Sequence, residues 1–140
     1  HYMLWRKCAT LNRPILILEH DAIFIKKFDT KILEWWPGEG AVSINNPIGA
    51  TFSAKEYDSK LTNGINEVPW LTGNDVPQGL PGHSAYVIYP DAAREVMQLQ
   101  DEIGWWPNDA IMCKQLCPWI RCYKPYLTKC QGIKSTTSKE

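Results

Sequence analysis

The sequence lacks a net charge and a long hydrophobic run. Its 140 residues include 15 basic and 15 acidic side chains, which gives a formal net charge of +0. Such a chain has no overall electrostatic attraction to nucleic acid or to an anionic membrane surface. No apolar segment comes near the ~20 residues that a transmembrane helix needs. We therefore expect a chain without a membrane span.

The five cysteines lack the CxxC spacing of common zinc sites. Cys113, Cys117, Cys122 and Cys130 cluster late in the chain, but no two of them are separated by only two residues. Such thiols are typical of a reducing compartment, so we expect free cysteines and a cytoplasmic location. A structural zinc ion stays open as the alternative. The chain also starts with His1 instead of Met, so we expect a start that is cut, and a lost targeting segment stays open.

The hydrophobic pattern predicts helices that alternate with short strands, which is typical of an α/β sheet. Residues 15–18 are entirely apolar, as in a parallel strand that is covered on both faces. Asp91 precedes an amphipathic segment and is expected to cap its helix. Residues 45–82 are rich in turn residues, so we expect a long functional loop there. The predicted helices are 1–12, 25–36, 91–103 and 108–116, and the predicted strands are 15–18, 41–44, 84–89 and 119–123.

Two carboxylates and an imidazole follow the first predicted strand, as Glu19, His20 and Asp21. In open α/β sheets, ligands bind beyond the carboxyl ends of the strands. Two carboxylates that are one residue apart can both approach a hard cation such as Mg²⁺ or Mn²⁺. The alternative is a helix N-cap, since acidic side chains stabilise the first turn of a helix. The pattern alone leaves both interpretations open.

Five segments occur in a fixed order along most of the chain. HYMLWRKC contains His1 and Trp5, and PILILEHDAIF contains Glu19 and Asp21; GHSAYVIYPDAAREVM, WWPNDAIM and KPYLTKCQGIKSTTS follow. Together they resemble glycosyltransferase family 25, which includes bacterial lipopolysaccharide galactosyltransferases and collagen galactosyltransferases. The family pattern has a Ser-His helix with a Trp, and then a strand that ends in Glu-Asp-Asp. In this sequence His20 replaces the middle Asp.

The resemblance implies a GT-A-like fold, in which helices flank an α/β nucleotide-binding sheet with a metal-binding acidic motif. Family members transfer a sugar, usually galactose, to a hydroxyl group. The implied donor is a nucleotide-diphosphate sugar such as a UDP-sugar, the implied cofactor is Mn²⁺ or Mg²⁺, and the implied acceptor is a glycan or protein hydroxyl. The family's early strands have no counterpart here. We therefore expect an N-terminally truncated transferase domain over residues 1–130, then a polar tail over 131–140.

The resemblance also implies roles for four charged residues. Asp21 and Glu19 are expected to hold the metal ion with the donor, and His20 to bind the ion or to orient Asp21. Asp109 matches the acid of the family's Pro-x-Asp segment and is expected to be the general base for the acceptor hydroxyl. An N-cap role is the alternative for Asp109.

Five further residues are candidates for the site, and three of them also have a structural interpretation. His83 is either a contact to the donor or acceptor, or a structural histidine. Gln131 and Ser135 match the last family segment, which also contains Pro125, and are expected near the donor on that match alone. Trp105 and Trp106 either pack in the fold or stack on the acceptor.

Two other functions stay open. The seven tryptophans and the missing strands suit a non-catalytic domain that binds carbohydrate or nucleotide, and metal-dependent donor hydrolysis would exclude it. Residues 111–140 carry six basic side chains against one acidic side chain, which suits sugar transfer to modified nucleic acid. Salt-dependent binding to DNA would identify that function, although the zero net charge argues against it.

Overall fold

The computed structural model describes residues 1–34, 38–51, 53–72 and 77–132 and confirms a mixed α/β fold with flanking helices. The helices are α1 (Tyr2–Leu11), α2 (Lys31–Glu34), α3 (Ala54–Ser59), α4 (Pro90–Ile103) and α5 (Asn108–Ile111). The strands are β1 (Ile15–Leu18), β2 (Ala22–Phe24), β3 (Ala41–Ser43), β4 (Gly64–Glu67), β5 (Ala85–Ile88), β6 (Ile120–Lys124) and β7 (Thr128–Cys130).

Five strands form one mixed sheet in the order β1-β5-β3-β6-β4. The pair β3–β6 is parallel, and the other three neighbouring pairs are antiparallel. The expectation that residues 15–18 form a covered parallel strand is therefore wrong. β1 pairs antiparallel with β5 at the edge of the sheet, and Leu18 is exposed. A four-residue apolar run does not by itself encode the direction of its partner.

The strand directions bring distant segments to one end of the sheet. Because β1 and β5 run antiparallel, the end of β1 lies beside the start of β5, and the Glu19 N–H donates to the Ser84 carbonyl at 2.8 Å. β3 is antiparallel to β5, so Asn45, just after β3, lies at the same end. We call this end, marked by Glu19, Ser84 and Asn45, the site edge.

A second sheet, formed by β2 and β7, joins the first one through Asn45. Asn45 is buried; its Nδ2 donates to the Pro81 carbonyl at 3.2 Å, and its Oδ1 accepts from the Thr128 hydroxyl at 2.9 Å. The Asn46 N–H also donates to the Thr128 carbonyl at 2.9 Å. This amide therefore ties β7 to the loop that leads into β5.

Several predicted elements differ from the structure. The predicted helix over 25–36 is wrong: β2 ends at Phe24, and the helix covers only α2, while residues 35–37 lie outside the described segments. The predicted loop over 45–82 contains α3 and β4. The helix expected over 108–116 ends at Ile111. α4 begins at Pro90 with Tyr89 as its N-cap, so Asp91 lies in the first turn instead of capping it, as the fixed φ of proline favours.

Three of the six basic residues late in the chain make contacts within the fold, and Lys134 and Lys139 lie outside the described residues. Lys114 contacts Glu67 at 3.3 Å, and Lys124 contacts Asp58 at 3.0 Å. The Arg121 guanidinium donates to two backbone carbonyls. These three side chains therefore add little electrostatic attraction for nucleic acid. Among the described residues, no helix combines the length and the apolar character that crossing a membrane requires.

The cysteines are all free thiols, and burial raises the pKa of both Cys117 and Cys122 to about 12. Within the described segments, no three His, Cys, Asp or Glu side chains are grouped so that they could hold a metal ion. The zinc alternative therefore has no support in this part of the chain.

We predict that Asn45→Ala lowers the free energy of unfolding by about 1–3 kcal/mol, because it leaves the buried Pro81 carbonyl and Thr128 hydroxyl without their partner. Chemical denaturation measures the change. Asn63→Ala is the matched control, since Asn63 is exposed, and it should stay within about 0.5 kcal/mol of the parent. Equal losses in the two variants would contradict the role of Asn45 as a junction.

Candidate active site

Glu19, His20 and Asp21 form a tight turn between β1 and β2. The Ala22 N–H donates to the Glu19 carbonyl at 3.1 Å, and β2 begins at Ala22. No helix follows this turn, so the helix N-cap interpretation of Glu19 and Asp21 is wrong. Their position at the site edge, beyond the end of β1, needs another explanation. His20, the middle residue, is exposed.

A chain of hydrogen bonds holds the Glu19 side chain. His1 Nε2 lies 2.9 Å from Glu19 Oε1, and His1 Nδ1 lies 2.8 Å from the Tyr86 hydroxyl. The indole N–H of Trp5 donates to the same hydroxyl at 3.0 Å. Trp5 and Tyr86 are buried, and the His1 and Tyr86 rings are stacked with centroids 5.8 Å apart. This network fixes α1 against β5 and orients Glu19.

One arrangement of protons satisfies every group in this chain. Trp5 can only donate, so its N–H occupies one lone pair of the Tyr86 oxygen. Burial raises the pKa of Tyr86, so the phenol keeps its proton and donates it to His1 Nδ1. His1 then carries its own proton on Nε2 and donates it to Glu19. The second carboxylate oxygen of Glu19 stays available to a ligand.

Asp21 has an unsatisfied buried oxygen. Its Oδ1 is buried and has no hydrogen-bond partner, whereas its backbone carbonyl accepts from the Gln131 N–H at 2.9 Å. A buried acceptor without a partner costs free energy, unless a ligand supplies the missing interaction. The β2–β7 pairing thus brings Gln131 next to Asp21. Ser135 lies outside the described residues.

The pKa of Glu19 reflects its burial and its charged neighbours. Burial raises the pKa of Glu19, and the negative charges of Asp21 and Asp109 raise it further, while His20 opposes the change. Asp109 is ninety residues from Glu19 in sequence and lies on α5. The titration of Glu19 is therefore expected to depend on both of the other carboxylates.

Asp109 lies at a cleft of about 500 Å³. Parts of segments 49–51 and 77–82 line this cleft together with Asp109. The N-cap of α5 is Pro107, and no side chain caps the helix, so the N-cap alternative for Asp109 is wrong. Asp109 is exposed in the first turn, where its carboxylate can meet a ligand in the cleft.

His83 is buried behind the cleft. Neither ring nitrogen has a hydrogen-bond partner of good geometry. Burial lowers the pKa of His83 to about 4, and the nearby Leu80 backbone opposes this change only in part. Its ring lies edge-on to Tyr86, with centroids 5.9 Å apart. The neutral imidazole thus has two nitrogens without a hydrogen-bond partner, close to the Gly79 segment of the cleft wall.

Two glycines allow the close approach of these segments. A Cβ on Gly79 would lie 3.2 Å from the Asp109 carbonyl oxygen and 3.4 Å from His83 Cε1. Gly82 has a φ of +63°, and a Cβ there would lie 2.9 Å from the Ala50 Cβ. Larger residues at these two positions would push the cleft walls apart.

The donor set fits a hard divalent ion that is shared with a ligand. Mg²⁺ and Mn²⁺ commonly take one or two carboxylates and complete their shell with water and substrate phosphates. Glu19 has a free oxygen and Asp21 has an unpartnered one, which meets that requirement. His20 has no contact that would make it a ligand or an orienting group in this structure.

Sequence analysis missed two polar residues on which the site depends. Tyr86 carries the hydroxyl that joins His1 to Trp5, and Asn45 joins β7 to the cleft loop. Tyr86 lies in an apolar strand and Asn45 in a turn-like pair of asparagines, so neither has a local signal for its role. The resemblance had marked His1 and Trp5.

The comparisons with known proteins find a match to the first part of the chain alone. A family model, Glycosyltransferase family 25 (LPS biosynthesis protein), matches residues 1–38. No curated protein matches the chain. The matched segment contains α1, β1, β2 and the turn with Glu19 and Asp21. At this coarse level the chain is similar to a glycosyltransferase, and the match does not extend to Asp109 or His83.

We predict that Asp21→Asn lowers the pKa of the Glu19 carboxyl and that Asp109→Asn lowers it less, because each removes a negative charge near Glu19. A pH titration of the Glu19 side-chain ¹³C signal measures both changes in metal-free protein. Asp101→Asn, at an exposed position on α4, is the control and should leave this pKa unchanged. An unchanged Glu19 pKa in all three variants would contradict this dependence on the two carboxylates.

Proposed function

We propose that this domain is a metal-dependent glycosyltransferase that moves a sugar, galactose or glucose, from a nucleotide-diphosphate donor to a hydroxyl acceptor. The observation that carries the proposal is the unpartnered buried oxygen of Asp21, in the turn that also contains Glu19 and lies beyond the end of β1. Asp109, which lines the cleft, is the third carboxylate of the proposed site. The family match over residues 1–38 supports it, because that segment contains two of the three carboxylates. UDP is the proposed nucleotide, and a glycan or a protein hydroxyl is the proposed acceptor.

Glu19 and Asp21 have the position and chemistry to hold the donor. Asp21 presents an unpartnered oxygen, and the His1 contact leaves one oxygen of Glu19 free. When bound, a divalent ion supplies positive charge against the charge that develops on the departing diphosphate. Gln131, beside Asp21, is placed to contact the same donor.

Asp109 has the position and chemistry of the general base. It takes the proton of the acceptor hydroxyl while the hydroxyl oxygen bonds to the anomeric carbon and the bond from that carbon to the diphosphate breaks. The cleft beside Asp109 is large enough for a sugar ring. We propose that an acceptor in this cleft meets the donor at the site edge.

We predict that UDP binds in the presence of Mn²⁺ and that Asp21→Asn weakens this binding by about tenfold or more, since the variant loses a charged ligand of a shared ion. Isothermal titration calorimetry with Mn²⁺ and UDP measures the affinity. Asp101→Asn is the control and should bind like the parent. UDP binding of equal strength without Mn²⁺, or in Asp21→Asn, would contradict a metal-dependent donor site.

We predict that Asp109→Asn keeps the affinity for Mn²⁺ and UDP but slows the release of UDP from UDP-galactose by about 10²–10⁴-fold, because the variant cannot accept a proton. Coupled detection of free UDP measures this rate with water or a sugar as acceptor. An unchanged rate would show that Asp109 is not the general base. Donor binding without any UDP release by the parent would indicate a non-catalytic binding domain.

A further inference from the structure

Two adjacent tryptophans are among the most exposed large apolar residues of the described chain. The exposed fraction is 71% for Trp105 and 55% for Trp106. An indole pair left in water contributes little to the core, so the packing interpretation of these residues is wrong. We call the surface formed by Trp105, Trp106 and the neighbouring Tyr2 ring the aromatic platform.

The platform is held in place by its surroundings. Trp105 lies against Tyr2, with ring centroids 4.8 Å apart. The buried side chain of Gln100 donates to the Trp106 carbonyl at 2.8 Å. Gly104 ends α4 at a φ of +104°, a conformation that favours glycine, and so turns the chain into the platform. Side chains that are held in this way lose little conformational entropy when a ligand binds to them.

The platform continues into the proposed site on both sides. Tyr2 directly follows His1, which contacts Glu19 at 2.9 Å. Only three peptide units separate Trp106 from Asp109, so their Cα atoms lie within about 11 Å of each other. Between them, Asn108 has a buried side-chain nitrogen without a hydrogen-bond partner. The platform therefore lies close in the chain to an unpaired donor and to the proposed base.

We propose that the aromatic platform binds a pyranose ring of the acceptor glycan and presents its hydroxyl group to Asp109; the acceptor role rests on the proposed function. A sugar ring has an apolar face of C–H groups that packs on an indole, and hydroxyl groups at its rim. The Asn108 amide is a donor for such a hydroxyl, and the Asp109 carboxylate is an acceptor for its proton. A purely apolar partner would leave both polar groups unsatisfied.

The test uses the indole N–H signals of the protein in ¹H–¹⁵N NMR spectra, with lactose and cellobiose as probes. Trp105→Phe and Trp106→Phe assign two of the signals by their disappearance. We expect the Trp105 and Trp106 signals to shift with added disaccharide, while the Trp70 signal stays in place. Trp70 is the matched control, because it is 56% exposed but lies elsewhere, next to Lys114.

Alanine variants give the size of the effect. We expect Trp105→Ala and Trp106→Ala each to weaken disaccharide binding by about tenfold, and Trp70→Ala to leave it unchanged. The absence of any shift with both sugars, or equal shifts at Trp70, would overturn the proposal. So would platform signals that change with protein concentration instead of with sugar, since a second copy of the chain would then cover the indoles.

The same samples separate this inference from the proposed function. All three alanine variants should bind Mn²⁺ and UDP like the parent, since they leave Glu19 and Asp21 intact. Disaccharide binding without any binding of UDP would support the platform as a sugar site and would contradict the transferase. Binding of UDP without disaccharide binding would leave the transferase standing and overturn the platform.

Discussion

The antiparallel pairing of β1 with β5 is the constraint on which the rest of the site depends. It brings the end of one strand, with Glu19, beside the start of another, where His83 and Ser84 lie. β3 pairs antiparallel with the other side of β5, so Asn45 reaches the same end. A parallel β1 would have placed the acidic turn at the opposite end of β5, away from the cleft.

Buried polar groups then fix the parts of this end relative to one another. The Tyr86 hydroxyl joins Trp5 and His1 and so sets the orientation of Glu19, while Asn45 joins β7 to the cleft loop. Networks of this kind specify a single arrangement, because each loss of a partner inside the protein is costly. In contrast, the buried oxygen of Asp21 and the two nitrogens of His83 are unsatisfied. These hydrogen bonds therefore fix the segments around Asp21 and His83, whose own polar atoms are still without partners.

The parts of the fold that sequence analysis predicted are those with strong local signals. The amphipathic patterns of α1 and α4 and the apolar runs of β1, β3, β5 and β6 were sufficient to find these elements. Sequence analysis predicted no element for residues 22–24, because their partner strand β7 is about a hundred residues away and gives no local signal. The candidates Glu19, Asp21, Asp109 and Gln131 came from a family resemblance. The structure adds individual contacts, such as the Gln131 N–H that donates to the Asp21 carbonyl. The exposure of Trp105 and Trp106 argues against packing in the core, a question that periodicity alone had left open.

The central claim is that Glu19 and Asp21, at the site edge of the sheet, hold the donor. Paramagnetic broadening by substoichiometric Mn²⁺ in the presence of UDP tests this claim most directly, since the effect falls steeply with distance from the ion. The account predicts that the amide signals of residues 19–21 and of Gln131 broaden before those of Gly40 and Asp91, at the opposite end of the sheet. Broadening that is centred on Asp91 and Glu95, or that is uniform along the chain, would contradict it.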